Sequence, residues 1–466
     1  MIEKNLIRVE VTLTRWNLLL QLTEKQKIRS VTFMISAEEW NARIDAFIKE
    51  ENEKRGRKVP VCRIYCQDDT DRSGGGIYNE TVTVDTIGRF ARALGDSNPL
   101  FSAPHYRSTR SSAIGDDEPY RRGADTLPEP FQAPPLLECC ICSTFIGGKM
   151  PRLRGVSVFD AGTKWERFLP IRPGDSFSAQ TENLGVREIT RPGTSGPSGS
   201  ADPTVSAGRL LLREHRIDLF NQRGELVSSL TARSAIKCSP PANAEESARP
   251  ANTAESTRPA DIAQGGRPRY TEEELDRVYA NLDAQLAGAF RRGAEARYWE
   301  DVEIGEQLPE QIIGPYDESD AQALMAAIGA ANAFATKWAA IRFRKGQGVT
   351  DPETGARRHP IDRHNSDTIA RAQGLPRAIA SGIHSQALLG KAVSDWMGDD
   401  GFLRILDCQC RKPFYFGDLS FQRGTVTGKF ERDGKYYVNL DMEAVRQDGV
   451  PHTTAQAVVE LPARGR

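Results

Sequence analysis

The sequence predicts an α+β fold built twice: two antiparallel sheets, each wrapped around a long central helix, joined as a pseudo-dimer. Three observations lead there. Residues 239–268 are rich in Pro, Ala, Ser and Glu and almost empty of large apolar side chains, so they cannot bury enough surface to offset their ordering entropy and read as a flexible linker. Across that linker a weak duplication shows, with Gly95, Gly174 and Gly224 recurring in order as Gly329, Gly417 and Gly449. Each half also runs helix first, then strands of period-two apolar alternation, the pattern of a sheet with one buried face.

Each element follows from local chemistry. Residues 1–30 read as an N-terminal extension whose Leu18, Leu19 and Leu20 leave helix and disordered tail both open. The first repeat, 31–238, holds a helix over 85–95, matched in apolar spacing and terminal glycine by 317–329 in the second repeat, 269–466. Strands at 213–220 and 435–442 alternate, and polar turns at 221–225 and 446–450 join strand pairs. A low-complexity run from Arg191 to Ala201 reads as a long loop between strands. Small residues ending in Gly382 open a further helix.

Composition limits the function classes. The 466 residues are 39% hydrophobic and 27% charged, with 62 Lys+Arg against 63 Asp+Glu. A net charge of −1 supplies no field favouring nucleic acid or an anionic membrane. No apolar run approaches the ~20 residues of a membrane span, and no secretory leader is read at the N-terminus, so a cytoplasmic enzyme is expected. Eight cysteines include one Cys-x-x-Cys pair, Cys139 with Cys142, and no second knuckle completes a zinc site, so free thiols are expected and no metal. Dinucleotide and phosphate-loop motifs are absent, and no cofactor is called for.

The segment from His359 to His384 concentrates the chemistry. His364 stands between Asp362 and Asp367, and the helix opening at Gly382 follows closely, bringing a proton-transfer group and backbone donors into one stretch. Asp96, Asn98 and Pro99 follow the first helix; as turn formers they also fit a structural role. His384, two residues into the later helix, is a further ligand-facing candidate, and His359 lies beside Arg357 and Arg358.

Taken together, Gly95 to Phe101, Ala133 to Pro135, Pro173 to Asp175, Trp299 to Gly305, Gly374 to Pro376, Ile379 to Gly382 and Arg411 to Pro413 resemble the MaoC-like acyl dehydratases and (R)-specific enoyl-CoA hydratases. The likeness is to fused members whose first half is similar to the dehydratase of type I fatty acid synthase. It covers about 31–237 and 297–462. It implies a double hotdog fold and reversible hydration of a 2-enoyl thioester, with coenzyme A as part of the substrate.

The family's Asp-x-Asn-Pro-x-His motif is split here. The first half keeps Asp96, Asn98 and Pro99, but Phe101 stands at the histidine position; the second keeps Gly329 and Asn332, then carries an insert over about 335–358 before His364. The resemblance implies His364 as general base or acid; since His359 rather than aspartate stands five residues before it, Asp362, nearest in sequence, is the favoured carboxyl, with Asp367 and Asp96 open alternatives, and the Gly382 amide, at a helix opening, is the expected oxyanion donor. Arg411, Lys412 and Arg377 are the candidates for coenzyme A phosphates. A thioesterase on the same fold and a non-catalytic acyl-binding subunit of a hydratase complex are the alternative functions. A homodimer is left open.

Overall fold

The computed structural model describes residues 36–61, 76–102, 132–144, 155–189, 208–238, 266–329 and 349–464. The expected extension 1–30, the loop 191–201, the linker up to residue 265, Asn332 and the insert up to residue 348 lie outside the described residues. Two compact units divide the chain, Met1–Phe47 and Ile48–Arg466. The described part of the first opens helix α1 (Ala37–Glu53), started by Ser36, whose hydroxyl accepts from the Glu39 amide at 3.0 Å. The second carries the sheet and every candidate residue that is described.

Among its described residues that unit has twelve strands: β1 (Lys58–Pro60), β2 (Val156–Arg167), β3 (Ser178–Glu188), β4 (Arg209–Phe220), β5 (Leu226–Cys238), β6 (Gln311–Ile313), β7 (Val349–Thr350), β8 (Arg357–Arg358), β9 (Phe402–Cys410), β10 (Ser420–Arg432), β11 (Lys435–Arg446) and β12 (Pro451–Leu461). Apart from the β7–β8 pair they form one ten-stranded antiparallel sheet, in the order β1-β3-β4-β5-β2-β9-β12-β11-β10-β6. The expectation of two sheets is therefore corrected. β2 of the first repeat pairs with β9 of the second through Lys164↔Asp407, Trp165↔Leu406 and Glu166↔Ile405. Joining the two edges satisfies rows of N–H and C=O groups that separate sheets would leave open.

The helices are α2 (Val84–Ala93), α3 (Glu272–Leu286), α4 (Glu318–Ile328), α5 (Asp367–Arg371) and α6 (Gly382–Met397), besides short single turns. Residues 383–397 of α6 are all buried, so the helix has no solvent-facing stripe and its polar side chains lie inside with the apolar ones. Its charged members are paired inside: Lys391 Nζ lies 2.7 Å from Asp395 Oδ2 and donates to Gln311 Oε1 at 3.0 Å. Among the described residues of 31–238 the helices are α1, α2 and the short turns Pro99–Ser102 and Glu138–Ile141, none of them buried along its length as α6 is except the single turn Glu138–Ile141.

The duplication is visible atom by atom. Gly174 and Gly417 take φ of +89° and +87°, a region open to glycine, and their amides donate to Val82 O at 2.8 Å and Tyr316 O at 2.7 Å, each just ahead of α2 or α4. The next residue is aspartate in both repeats. Asp175 Oδ2 accepts from the Arg172 amide at 2.8 Å and Asp418 Oδ2 from the Tyr415 amide at 3.2 Å. Gln222 and Gln447, in the matching strand turns, donate to Asp175 Oδ1 at 3.2 Å and Asp418 Oδ1 at 2.8 Å. Two copies of one hydrogen-bonded corner thus brace helix start, strand start and strand turn.

Candidate active site

His364 ends the 3-10 turn Pro360–His364, which lies against the strand-like run entering α6. The Ile379 amide donates to Arg363 O at 3.1 Å, and His364 Nδ1 lies 2.9 Å from Ile379 O. A carbonyl only accepts, so Nδ1 carries the proton and Nε2 presents a lone pair. Burial, then the neighbouring Arg363 charge, lowers the His364 pKa to about 4, with the Ile379 and Ala380 carbonyls pulling the other way. The ring is neutral at pH 7, and its residue is only partly exposed.

The carboxyl expected beside it is engaged elsewhere. Asp362, 6% exposed, accepts from Arg358 Nε at 2.8 Å, and Arg358 also lies 3.7 Å from Asp351. Four residues separate Arg358 from Asp362, so a short-range ion pair takes the carboxylate that the sequence assigned to His364. Asp367 accepts the Ala378 amide at 2.7 Å and stands 3.8 Å from Arg371, bracing α5 against the run into α6.

Asp96 and Asn98 build a turn. Asp96 Oδ1 accepts from the Asn98 amide at 2.9 Å, Asn98 Oδ1 from the Leu100 amide at 3.0 Å, and Asn98 Nδ2 donates to Asp399 Oδ1 at 3.0 Å. Asp96 Oδ2 is buried without a hydrogen-bond partner. Burial first, then repulsion from Asp395, raises the Asp96 pKa to about 6 against the pull of Lys391. Those two partners lie two turns and more along α6 from Gly382, so Asp96 belongs to a different stretch of that helix. Phe101 is 2% exposed within the core.

His384 is a tie rather than a ligand-facing group. Its Nε2 donates to Ala93 O and its Nδ1 accepts from Tyr316 Oη, both at 3.0 Å, and burial lowers its pKa to about 4. Arg377 is likewise buried: it pairs with Asp418 Oδ1 at 2.7 Å and donates to Gly266 O, so the expectation that it meets a phosphate is corrected. Arg411 and Lys412 are exposed just beyond β9.

Sequence reasoning missed Asp160. It sits at the bulge where the β2–β5 register shifts between Asp160 and Gly162, and its carboxyl faces the first turn of α6. A Cβ on Gly382 would lie 2.5 Å from Asp160 Oδ2, so glycine at 382 makes room for this carboxyl. Oδ1 accepts from the Gly162 amide at 2.8 Å and Oδ2 from Gln386 Nε2 at 3.0 Å. Gln386 is itself aimed by Trp165, whose Nε1 donates to Gln386 Oε1 at 3.0 Å. Asp160 keeps some open surface, but its carboxyl is desolvated and its pKa rises to about 6, moderated by the Gly162 amide and by Arg233. The available signal was an acidic residue in an otherwise apolar strand segment.

A shallow cleft at the far end of α6, lined in part by Leu100, Phe101, Met397 and Phe402, contains neither His364 nor Asp160. His364 and Asp160 lie instead toward the Gly382 end of that helix. Among the described residues no group of three His, Cys, Asp or Glu is placed to hold a metal, and no helix is long and apolar enough to cross a membrane.

No family model and no curated protein matches the sequence. Similar solved structures include a MaoC-like dehydratase at 15% identity, covering 89% of this chain and 99% of that one with a TM-score of 0.49. A MaoC-like dehydratase from Phytophthora capsici is 13% identical over 84% and 96% of the two chains, with a TM-score of 0.43. A conserved hypothetical protein from Mycobacterium tuberculosis, described as a double hotdog fold, is 13% identical over 84% and 97%, also at 0.43.

Proposed function

We propose that this chain is a MaoC-like hydro-lyase that adds water to a 2-enoyl thioester and removes it from the 3-hydroxyacyl form, with acyl-CoA as substrate. The observation that carries the reading is His364: a neutral imidazole fixed through Nδ1 on Ile379 O, with Nε2 as its basic face, three residues ahead of the helix that opens at Gly382. In hydration Nε2 removes a proton from water as the oxygen bonds to Cβ, and a second group must protonate Cα. The Gly382 and Ile383 amides open α6 at its positive end, while the His384 amide is already taken by Ser381 O at 2.9 Å, and such opening donors suit the oxygen that gathers charge. Exposed Arg411 and Lys412 directly follow Cys410, whose sulfur accepts from Gln386 at 3.8 Å; this proximity supports them as the cations that would meet the coenzyme A phosphates.

A second reading, thioester hydrolysis, is favoured by one feature, the Asp160 carboxyl lying against the first turn of α6 where it could activate water. Crotonyl-CoA separates the two. Loss of enone absorbance without free thiol supports hydration, free thiol supports hydrolysis, and neither supports a non-catalytic acyl-binding subunit. His364→Ala is expected to lower hydration by about 100-fold or more, the usual contribution of a positioned acid or base.

A further inference from the structure

We infer that Asp160, contributed by the first repeat, is the catalytic acid that delivers the proton to Cα of the thioester bound at the second repeat's α6. This rests on the hydratase reading and names the group that reading lacks.

His364 needs a carboxyl counterpart able to carry a proton, and Asp362 is held in an ion pair with Arg358. Asp160 has the opposite environment. Its contacts are the neutral donors Gly162 N–H and Gln386 Nε2, while the nearby cation Arg233 makes its ion pair with Asp407. Desolvation without a direct cation leaves this carboxyl protonated up to about pH 6. Cys408 and Cys410 of β9 also face it, as thiols whose pKa burial pushes up, so they add no charge.

The geometry joins Asp160 to the His364 segment. Arg363 Nη2 donates to Val158 O at 2.8 Å and the guanidinium covers the Phe159 ring at 4.9 Å, clamping the 3-10 turn to the residues preceding Asp160 on β2. His364 is the next residue after Arg363, and Ile379, which fixes its ring, is three residues before Gly382, against which Asp160 lies. Histidine, helix opening and carboxyl are therefore bound to one another through named contacts, with β2 and α6 coming from different repeats.

The step balances. Water gives one proton to His364 Nε2 while its oxygen bonds to Cβ; the C=C electron pair moves through Cα to the thioester oxygen. That pair returns to form the Cα–H bond with the proton of Asp160. Imidazolium and carboxylate remain, and a proton passing from His364 to Asp160 restores both. The carboxylate left behind also stabilises the imidazolium, which a ring with a pKa near 4 could not otherwise retain.

The test uses the full chain with crotonyl-CoA, following enone loss between roughly pH 4 and pH 8. In the wild type kcat/KM is expected to fall above about pH 6 as Asp160 loses its proton. Asp160→Asn is expected to lower kcat by about 100-fold or more with little change in KM, and to abolish that alkaline limb; Asp160→Glu recovers part of the rate. An Asn variant within about threefold of wild type, retaining the limb, overturns the assignment of Asp160. Should Asp160→Asn fail to fold, a wild-type profile without a limb near pH 6 overturns it instead. A wild-type chain that hydrates no enoyl-CoA removes the hydratase reading itself, a result distinct from an active wild type with an active Asn variant.

Discussion

His384 Nε2 donates to Ala93 O at 3.0 Å, tying the central helix of the second repeat to the end of the first repeat's helix α2. The other ring nitrogen accepts from Tyr316 Oη, so the imidazole fills a buried gap with both nitrogens used. His384→Ala leaves a buried carbonyl and a buried hydroxyl unpaired. It is expected to destabilise the protein by about 2 to 4 kcal/mol, read from urea unfolding. If instead stability holds and only turnover falls, the ring has a role at the substrate.

Arg377 separates a structural cation from a phosphate-binding one. Its guanidinium is buried against Asp418, the aspartate of the duplicated corner. Arg377→Ala is expected to cost about 3 to 5 kcal/mol of stability because it strands a buried carboxylate. Arg411→Ala and Lys412→Ala should leave unfolding unchanged and raise KM for an acyl-CoA relative to a short pantetheine thioester. An Arg377→Ala protein of normal stability and raised KM would reverse that division.

Gly382→Ala places a methyl group 2.5 Å from Asp160 Oδ2 and 2.9 Å from its Cβ, so the whole side chain must shift. The expected loss is about 1 to 3 kcal/mol, as for overpacking generally. Combined with Asp160→Ala, the second substitution should have a smaller effect than alone, because the contacts with the carboxyl group are removed and only the 2.9 Å contact with Cβ remains; strictly additive energies would show that the two residues do not press on each other.

Stability should fall on acidification. His215 and His452 have pKa values lowered to about 3, and His364 and His384 to about 4, all chiefly by burial. Each contributes fully above the unfolded value of about 6.5 and is lost as pH falls toward the folded value, since the unfolded chain takes up protons first. Asp96 and Asp160, raised to about 6, act in the opposite sense between about pH 4 and pH 6. Asp320 and Asp418 are also raised by burial, by less, and the four large histidine shifts outweigh all four carboxyls, so the melting temperature is expected to drop from about pH 6.5 to pH 4. A flat or rising profile over that range would show that these rings are not held neutral.

What was legible in the sequence follows interaction range. The Gly174-Asp175 and Gly417-Asp418 steps and the strand turns that hold Gln222 and Gln447 are each short local turns, so the duplication was readable, although the bonds joining them span 47 and 29 residues and were not. Alternation likewise marked β4 and β11, because a strand's faces are set by its own order. The Arg358–Asp362 pair was local enough to find, four residues apart, yet the resemblance drew Asp362 toward His364. Asp160 was beyond reach: its partner Gln386 lies 226 residues away, and only the pairing of β2 with β9 brings that strand to α6. Arg377 depends on a partner 41 residues on for the same reason.

Three residue pairs between β2 and β9 have a consequence for how this architecture can be cut. Either repeat produced by itself would present one of those strands as a bare, hydrogen-bond-hungry margin, with Trp165 or Leu406 stripped of its cover. Neither repeat is then a portable module, and fragments should self-associate through that margin until the complementary piece is supplied.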